Sequence, residues 1–482
     1  MEKKKKKIFK QNIIYLGIKI FFIVAVIVCT FILEYGILKC GLVPTKYIVI
    51  SAIAIIVLDG ITALLLLIRS LIGNIIGLLL AIAIGIVSII GYGYIDKTFN
   101  VIKNIVSNDE ESITFKVIVG KDSECNELSC LNGENLGILN EYSDKLQEEL
   151  KNSGTYNCVV YENIEDLVNA LKNKEIVAMV ITDSMYDVVL EQMKDFEEEV
   201  KEAHEVKVRG IIQTLNSDID ANEPFIMYIS GLDSRDYSEV AAAGLSDVNI
   251  LAVVNPKTHK ILLINTPRDF YVQLHGTTGL KDKLTHAGLY GIDMSLSTME
   301  DLYSIKINGY VKVNFGAVLK IVDDIDGIDV NSDIGFYSSH IKGWYVNKGM
   351  NHMNGAQSLA FARERYAYSS GDRHRGQNQQ TVITAIINKI STNKSYLLKY
   401  ADILNDVSHN LSTNVELEDI QTLVKNQLNT MAGWKVESIQ VNGSNSGNVT
   451  RSWPKQYTYV MIPDESTIDN ARSRIEAVIS GG

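Results

Sequence analysis

The sequence predicts a membrane-anchored α/β protein, in which three N-terminal transmembrane helices precede two α/β domains. The first 95 residues contain three long apolar stretches, and after them short apolar strands alternate with helical patterns. Roughly 385 residues follow the last apolar stretch, which is too many for one ordinary domain. We therefore expect domain bounds of 1–95, 96–222 and 223–482.

The three apolar stretches cover residues 16–38, 47–68 and 71–95. Each provides the roughly 20 residues that a helix needs to cross a hydrocarbon core. A cleaved signal peptide would show one short apolar region and a small-residue cleavage site, so three spans joined by short loops exclude it. The pattern therefore predicts a multi-pass membrane protein.

Basic residues give the orientation of these spans. Lys3 to Lys7 and Arg69 lie on one side, and only Lys39 and Lys46 lie on the other. The positive-inside rule then places the N-terminus in the cytoplasm. Because the number of spans is odd, we expect everything after about Asp96 to be extracytoplasmic.

Two features of the first third have alternative interpretations. Asp59, in the middle of the second span, is either a proton or substrate contact or a carboxylate hydrogen-bonded to a neighbouring helix, and we favour the second. Cys125 and Cys130 could form a disulfide or remain two free thiols. The five cysteines show no spacing typical of a zinc site.

The first domain after the spans reads as a small α/β unit that contains no catalytic motif. We expect strands at 115–119, 157–161 and 177–182, and helices at about 136–150, 164–171 and 186–203, the last one acidic and solvated. A polar stretch at 216–223 is the expected linker.

The second domain begins with a strand at 225–230, which leads to Asp233. A hairpin follows, with strands at 248–254 and 260–265 about the turn Asn255-Pro256-Lys257-Thr258. Counting outward from the turn places Asp247 beside Arg268, and Asp233 is expected at the same edge of the sheet. Two carboxylates resist joint ionisation unless a cation lies between them, and carboxylates facing phosphate are typical magnesium ligands.

Arginines are concentrated between residues 362 and 379 of this otherwise acidic chain, whose formal net charge is -11. An extended segment would place Arg363 and Arg365 on one face. A helix capped by Asp372 would align Arg375 and Gln379 with an apolar stripe, formed by Val382, Ile383, Ile386 and Ile390. Buried guanidinium groups need anionic partners and suit phosphate oxygens. The alternative is an ion-pair network without any ligand.

Seven segments of the second domain resemble, in order and spacing, the motifs of the LytR-CpsA-Psr family. They are Gly231 to Arg235, Ser246-Asp247, Asn255 to Thr258, Pro267-Arg268-Asp269, Lys283 to Ala287, Ala360 to Arg365 and 372–380. The three spans and the extra small α/β domain resemble the CpsA branch. The resemblance implies an α-β-α sandwich with a central mixed sheet.

The resemblance also implies a Gram-positive cell-surface phosphotransferase. It would transfer a capsule- or teichoic-acid-like glycopolymer from undecaprenyl pyrophosphate to peptidoglycan, forming a phosphodiester. Asp233 and Asp247 would hold Mg²⁺, and the polyprenyl tail would lie in an apolar tunnel between the sheet and its helices. The implied pyrophosphate-binding residues are Arg268, Lys283, Arg363, Arg365, Asp372, Arg375 and Gln379.

One position departs from the family, because Leu245 stands where an arginine usually precedes the Ser-Asp pair. Either Arg235 supplies the missing charge or the head group is held less tightly. No residue stands out as a nucleophile, so direct attack by a sugar hydroxyl is the simpler mechanism. Either Asp233 or Asp247 would be the general base. The expected catalytic residues are Asp233, Asp247 and Arg268. A polyprenyl-pyrophosphate hydrolase and a membrane-anchored regulator of envelope genes are the alternatives. We expect no nucleic-acid partner, since the only cytoplasmic basic segment is residues 1–10.

Overall fold

The structure is a computed structural model that describes residues 2–41, 43–106, 112–209, 216–232 and 239–482. These residues form two compact units. The first consists of Met1–Lys103 with Leu417–Met431, and the second of Asn104–Glu416 with Ala432–Gly482.

Three long helices make up most of the first unit: α1 (Glu2–Cys40), α2 (Thr45–Leu67) and α3 (Leu71–Val106). Their apolar portions, Ile13–Lys39, Thr45–Leu67 and Leu71–Lys97, are long enough to cross a membrane. The predicted number and position of the apolar helices are thus confirmed. Thr30 Oγ1 donates a 2.9 Å hydrogen bond to Asp59 Oδ2, which agrees with the favoured helix-packing role of Asp59.

Residues 112–209 form a smaller α/β layer, here called the five-stranded region. Its elements are β1 (Ser112–Gly120), β2 (Asn135–Leu139), α4 (Ser143–Ser153), β3 (Asn157–Tyr161), α5 (Ile164–Lys172), β4 (Ala178–Thr182), α6 (Asp183–Gln192), α7 (Phe196–Glu199) and β5 (Val200–Arg209). The strand order is β3-β2-β4-β1-β5. Strand β2 is parallel to both its neighbours, and β1 is antiparallel to both of its own.

Two predicted helices of this region are wrong in part. Asn135–Leu139 is a strand, because its apolar run is buried on both faces of the sheet, and the helix begins only at Ser143. The predicted acidic helix at 186–203 ends at Gln192. Strand β5 starts at Val200, and its buried residues Val200, Ala203, Val206 and Val208 follow a near-alternating pattern with one β-bulge.

Cys125 and Cys130 form a disulfide in this region, with their Cα atoms 5.7 Å apart. This resolves the alternative that the sequence left open. Cys158 is a half-buried free thiol.

The rest of the second unit, residues 216–232, 239–416 and 432–482, is here called the six-stranded region. Its strands are β6 (Phe225–Leu232), β7 (Ser246–Asn255), β8 (Lys260–Asn265), β9 (Tyr271–Val272), β10 (Asp282–Lys283), β11 (Gly309–Asn314), β12 (Ile328–Ser332), β13 (Phe336–Tyr337), β14 (Tyr345–Val346), β15 (Gly349–Met353), β16 (Leu411–Thr413), β17 (Lys435–Gln440), β18 (Gly443–Asn448) and β19 (Thr458–Pro463).

Among the described residues, α-helices lie between and after these strands along the chain, and one of them belongs to the first unit. They are α8 (Leu284–Ala287), α9 (Ile292–Tyr303), α10 (Phe315–Asp324), α11 (Gly355–Arg363), α12 (Asp372–Thr392), α13 (Lys394–Leu398), α14 (Tyr400–Val407), α15 (Leu417–Thr430, in the first unit) and α16 (Glu465–Ile479).

The central sheet has the order β16-β11-β6-β7-β8-β17. Strands β6, β7 and β8 are antiparallel, whereas β11 pairs with β6 and β17 with β8 in parallel. The sheet is therefore mixed, as expected. Asn255 pairs with Lys260, which confirms the predicted hairpin turn.

Helices cover both faces of this sheet. Successive side chains of β7 point to opposite faces, so their packing partners show which helices lie on each face. Leu251 and Val253 pack into one core cluster with side chains of α9 and α16. Ile250 and Ala252 pack into another with Ile383 and Ile387 of α12. This arrangement is the α-β-α sandwich that the sequence predicted.

Candidate active site

Arg268 lies at the centre of a buried charge cluster at one edge of the central sheet. It follows β8, and its Nη1 donates a 2.6 Å hydrogen bond to Asp247 Oδ1 at the start of β7. Its Nε is 3.6 Å from Asp269 Oδ2, and its Nη2 is 3.8 Å from Glu191 Oε1. The predicted adjacency of Asp247 and Arg268 is thus confirmed.

Helix α12 brings a second arginine to the same carboxylate. Arg375 Nη1 is 3.7 Å from Asp247 Oδ2, and Arg375 Nη2 is 2.7 Å from Asp372 Oδ1. The helix approaches β8 very closely, since a Cβ atom on Gly376 would lie 2.1 Å from Asn265 Nδ2. A glycine at this position therefore allows Asp372 and Arg375 to reach the sheet edge.

Lys283 supplies the third cation and is 1% exposed. Its Nζ lies 3.5 Å from Glu191 Oε1 and 3.7 Å from Asp269 Oδ1. The preceding residue fixes its backbone: Asp282 accepts hydrogen bonds from Lys283 N, Ser452 N and Ser452 Oγ. A fully buried ammonium group is thus held beside the Arg268 guanidinium.

Carboxylates alternate with the cations throughout this cluster. Burial opposes the charge of Arg268, but Asp247, Asp269 and Glu191 outweigh it and raise the pKa of Arg268. Burial raises the pKa of Asp372, and the nearby Asp269 carboxylate adds to this effect, against the opposing influence of Arg375. Each described cation of the cluster therefore has carboxylate neighbours, as in the ion-pair network that the sequence left open.

The extended segment predicted for Arg363 and Arg365 is also wrong. Arg363 is the last residue of α11, and its guanidinium stacks 4.6 Å from the ring centroid of Phe315. Arg365 is exposed and donates a 2.7 Å hydrogen bond to the Tyr366 hydroxyl. Buried Glu364 bends the chain between them by accepting hydrogen bonds from the Ser339 and Tyr366 amides. The side chains of Arg363 and Arg365 therefore lie in different surroundings.

Asp372 does not cap α12, another departure from the prediction. The N-cap is Gly371, whose φ of 54° favours glycine. Asp372 is the first helical residue, and its carboxylate pairs with Arg375 instead.

An apolar cavity of ≈ 190 Å³ lies between the sheet and helices α10, α11 and α12. Ile229, Val248 and Ile383 are among its apolar walls, and Arg363 and Gln379 also line it. Gln379 is one helical turn beyond Arg375 on α12. The cavity occupies the position expected for the apolar tunnel, directly after the charged end of the same helix.

The described carboxylates fit the oxygen-donor chemistry of magnesium. Asp247 Oδ2 is 3.7 Å from Arg375, beyond hydrogen-bonding distance, and buried Asp269 Oδ1 has no hydrogen-bond partner within the described part of the chain. Asp233, the second predicted ligand, lies outside the described residues, as does Arg235. No group of three His, Cys, Asp or Glu side chains suited to a metal occurs among the residues described. Magnesium usually completes its shell with water and phosphate oxygens.

Sequence reasoning did not assign Asp269 and Glu191 to the site. Asp269 directly follows Arg268 in the Pro267-Arg268-Asp269 motif, so a local signal was present. Glu191 comes from α6 of the five-stranded region, and no local pattern linked it to residues 268 and 283.

A family model described as the LytR_cpsA_psr family matches residues 184–474. The chain is 32% identical over 252 residues to the polyisoprenyl-teichoic acid–peptidoglycan teichoic acid transferase TagU of Bacillus cereus, covering 52% of this chain and 78% of TagU. It is 31% identical over 226 residues to the TagU of Enterococcus faecalis, covering 47% and 73% respectively.

Solved structures with similarity to this chain include B. subtilis TagV, with a TM-score of 0.46 and 27% identity, covering 54% of this chain and 98% of TagV. Another is TagT bound to LIIa-WTA, with a TM-score of 0.44 and 25% identity, covering 55% and 97% respectively.

Proposed function

The chain belongs to the LytR-CpsA-Psr family, and from that premise we propose that it transfers a glycopolymer from a polyprenyl-pyrophosphate carrier to peptidoglycan. Its TagU relatives are named as teichoic acid transferases, which is consistent with the phosphotransferase activity of this chain. The polymer is a capsular polysaccharide or a teichoic-acid-like chain, and the carrier is undecaprenyl pyrophosphate.

One observation carries the proposal: a buried cluster of cations adjoins an apolar cavity. Arg268, Lys283 and Arg375 supply positive charge where bulk water is largely excluded. The cavity wall begins on the next turn of α12, at Gln379. A lipid pyrophosphate combines an anionic head with an apolar tail, and this arrangement suits both parts.

The reaction needs positioning and neutralisation of charge more than a protein nucleophile. A peptidoglycan hydroxyl attacks the phosphorus next to the sugar and forms the new P–O bond. The bond between the two phosphates breaks, polyprenyl phosphate leaves, and the hydroxyl proton passes to a carboxylate of the site. Arg268, Lys283 and Arg375 stabilise the negative charge that develops on the phosphate oxygens. Asp233 and Asp247 are the proposed general bases.

Magnesium is part of the proposal. Asp247 and Asp269 would hold the ion together with Asp233, and the bound ion would neutralise the charge of the pyrophosphate. In the protein alone, Arg268 and Arg375 hold the Asp247 carboxylate in place from two sides.

The site works outside the cytoplasmic membrane in this proposal. The peptidoglycan acceptor lies there, and the lysine run at 3–7 favours an N-terminus on the opposite side. The three apolar helices anchor the enzyme at the membrane that contains the lipid donor.

The full-length protein in detergent, supplied with polyprenyl-pyrophosphate glycan, Mg²⁺ and a peptidoglycan oligomer, provides the test. Mass spectrometry should detect the phosphodiester conjugate and polyprenyl phosphate, and a chelator should abolish both. Arg268→Lys keeps the charge but loses the guanidinium fork, so we expect transfer to fall about 100-fold.

Arg474→Lys is the matched control, because Arg474 is half-exposed and pairs with Glu437 on the surface. It should transfer like the parent. Release of glycan phosphate at the same rate with and without the acceptor, with no conjugate, would instead identify a hydrolase.

A further inference from the structure

Glu191 reaches the candidate active site from the five-stranded region. It lies near the C-terminal end of α6, and one of its oxygen atoms faces two cations of the six-stranded region at once. Glu191 Oε1 is 3.5 Å from Lys283 Nζ and 3.8 Å from Arg268 Nη2. The charge cluster is thus assembled from both regions.

Glu191 Oε1 occupies the position that a phosphate oxygen would need in order to contact both Arg268 and Lys283. Arg268 Nη1 is hydrogen-bonded to Asp247, and its Nε faces Asp269. Nη2 is the guanidinium nitrogen that faces Glu191. An anion that contacts both Arg268 Nη2 and Lys283 therefore competes with Glu191 Oε1 for the same space.

The Glu191 side chain can leave, although the helix that carries it is held in place. Its side chain is 43% exposed, and both of its cation contacts are no shorter than 3.5 Å. The neighbouring Gln192 donates a 2.9 Å hydrogen bond to Thr458, and Arg451 pairs with Glu141 at 3.0 Å. Trp453, 1% exposed, is buried in the core cluster of the five-stranded region. A change of side-chain rotamer therefore suffices to move Glu191 away from Arg268 Nη2 and Lys283 Nζ.

We propose that Glu191 is a built-in competitor of the lipid pyrophosphate. When the site is empty, Glu191 pairs with Arg268 and Lys283 in addition to Asp247 and Asp269, and the incoming head group displaces it. The affinity of the site for the pyrophosphate head group is therefore lower than it would be without Glu191. For the same reason, polyprenyl phosphate leaves more readily after transfer. The five-stranded region thereby sets substrate and product affinity, an inference that rests on the proposed function.

Binding of inorganic pyrophosphate with Mg²⁺ to the full-length protein in detergent, measured by calorimetry, tests this competition. Glu191→Gln removes the competing charge and keeps the side-chain size. We expect it to bind pyrophosphate about fivefold tighter than the parent, the scale of a partly exposed ion pair. In the transfer assay its KM should fall, whereas a merely structural residue would not shift KM in this direction.

Glu198→Gln is the matched control, because Glu198 is an exposed glutamate of the same region, on α7. It makes the same change in net charge and should bind pyrophosphate like the parent. Glu191→Asp keeps the charge but shortens the reach by one methylene, so about twofold tighter binding is expected. This variant replaces Glu191→Gln if the latter fails to fold.

Equal or weaker binding by a folded Glu191 variant would overturn the inference while leaving the proposed function intact. Equal tightening by Glu198→Gln would also overturn it, because the effect would then be one of net charge. Failure of the parent and all variants to bind pyrophosphate would overturn the proposed function, and the inference with it.

Discussion

At the scale of the residue, the site is an alternation of charges. Asp247 lies between Arg268 and Arg375, and Asp269 lies beside Arg268 and Lys283. Breaking one buried ion pair leaves an uncompensated charge and typically costs about 3–5 kcal/mol. The network therefore stabilises the empty site. In the proposed reaction, the same cations bind phosphate when the more strongly charged pyrophosphate arrives.

Asp282 shows how a residue next to the site positions it, and its titration can be tested. Burial opposes its ionisation, but the His286 imidazole and the hydrogen bonds from Ser452 and the Lys283 amide outweigh burial and lower the pKa of Asp282. A lowered carboxyl pKa stabilises the folded state at pH values above the pKa of the unfolded chain, which is about 3.9. This contribution is lost as the pH falls through the lower pKa of the folded state.

Asp282→Asn should therefore destabilise the protein by about 2–3 kcal/mol at pH 7, because the lost hydrogen bonds involve a charged acceptor. The difference from the parent should shrink as the pH falls below about 4. Thermal unfolding in detergent between pH 7 and pH 3 measures it, with Asp301→Asn, an exposed aspartate paired with His275, as the control. A difference that stays constant across this range would contradict the assigned role.

The position of a single residue could be predicted from the sequence where the local backbone geometry determines it. A tight hairpin sets the register of its strands, so Asp247 and Arg268 could be paired by counting. Arg363 and Arg365 could not be placed in this way, because buried Glu364 bends the chain through bonds to Ser339, 25 residues away. Glu191 depends on the docking of one region on another, which no local pattern encodes.

At the scale of the element, helix α12 joins the two halves of the site. Its first turns carry Asp372 and Arg375, and its following turns carry Gln379, Val382 and Ile383, which line the apolar cavity. The period of 3.6 residues places these side chains on one stripe, so the helix was predictable from the sequence. Strand β2 was not, because a short buried apolar run is equally compatible with a helix.

Filling the cavity should separate tail binding from head-group binding. Ile383→Trp places a larger ring in the cavity proposed for the lipid tail, and each CH₂ group excluded from it loses about 0.8 kcal/mol of burial. We expect at least about tenfold weaker binding of polyprenyl pyrophosphate and unchanged binding of inorganic pyrophosphate. Calorimetry of both ligands gives the comparison.

Thr384→Trp is the control for this change, since Thr384 is adjacent on α12 but does not line the cavity. It should bind both ligands like the parent. If Ile383→Trp binds the long lipid as well as the parent does, the tail lies elsewhere.

At the scale of the whole molecule, the five-stranded and six-stranded regions share one interface. Ser452 O accepts a hydrogen bond from the Glu165 amide, and Lys455 N donates to Glu165 Oε2 at 2.6 Å. Trp453 between them is buried in the core of the five-stranded region. Truncating a buried tryptophan typically costs about 3–5 kcal/mol, so the regions stabilise each other and keep Glu191 near the cations.

The orientation of the chain in the membrane decides whether this site can meet peptidoglycan. The lysine run and the odd number of spans predict that residues after about 96 are extracytoplasmic, and that the loop containing Arg69 and Ser70 is cytoplasmic.

In a variant without the five native cysteines, Ser444→Cys on strand β18 provides an exposed thiol on the predicted outer side. Ser70→Cys provides the matched thiol on the predicted inner side. In intact, wall-stripped cells an impermeant thiol reagent should label position 444 and leave position 70 unlabelled until lysis. The opposite labelling pattern would place the site in the cytoplasm, away from its proposed acceptor, and would favour a regulatory role instead.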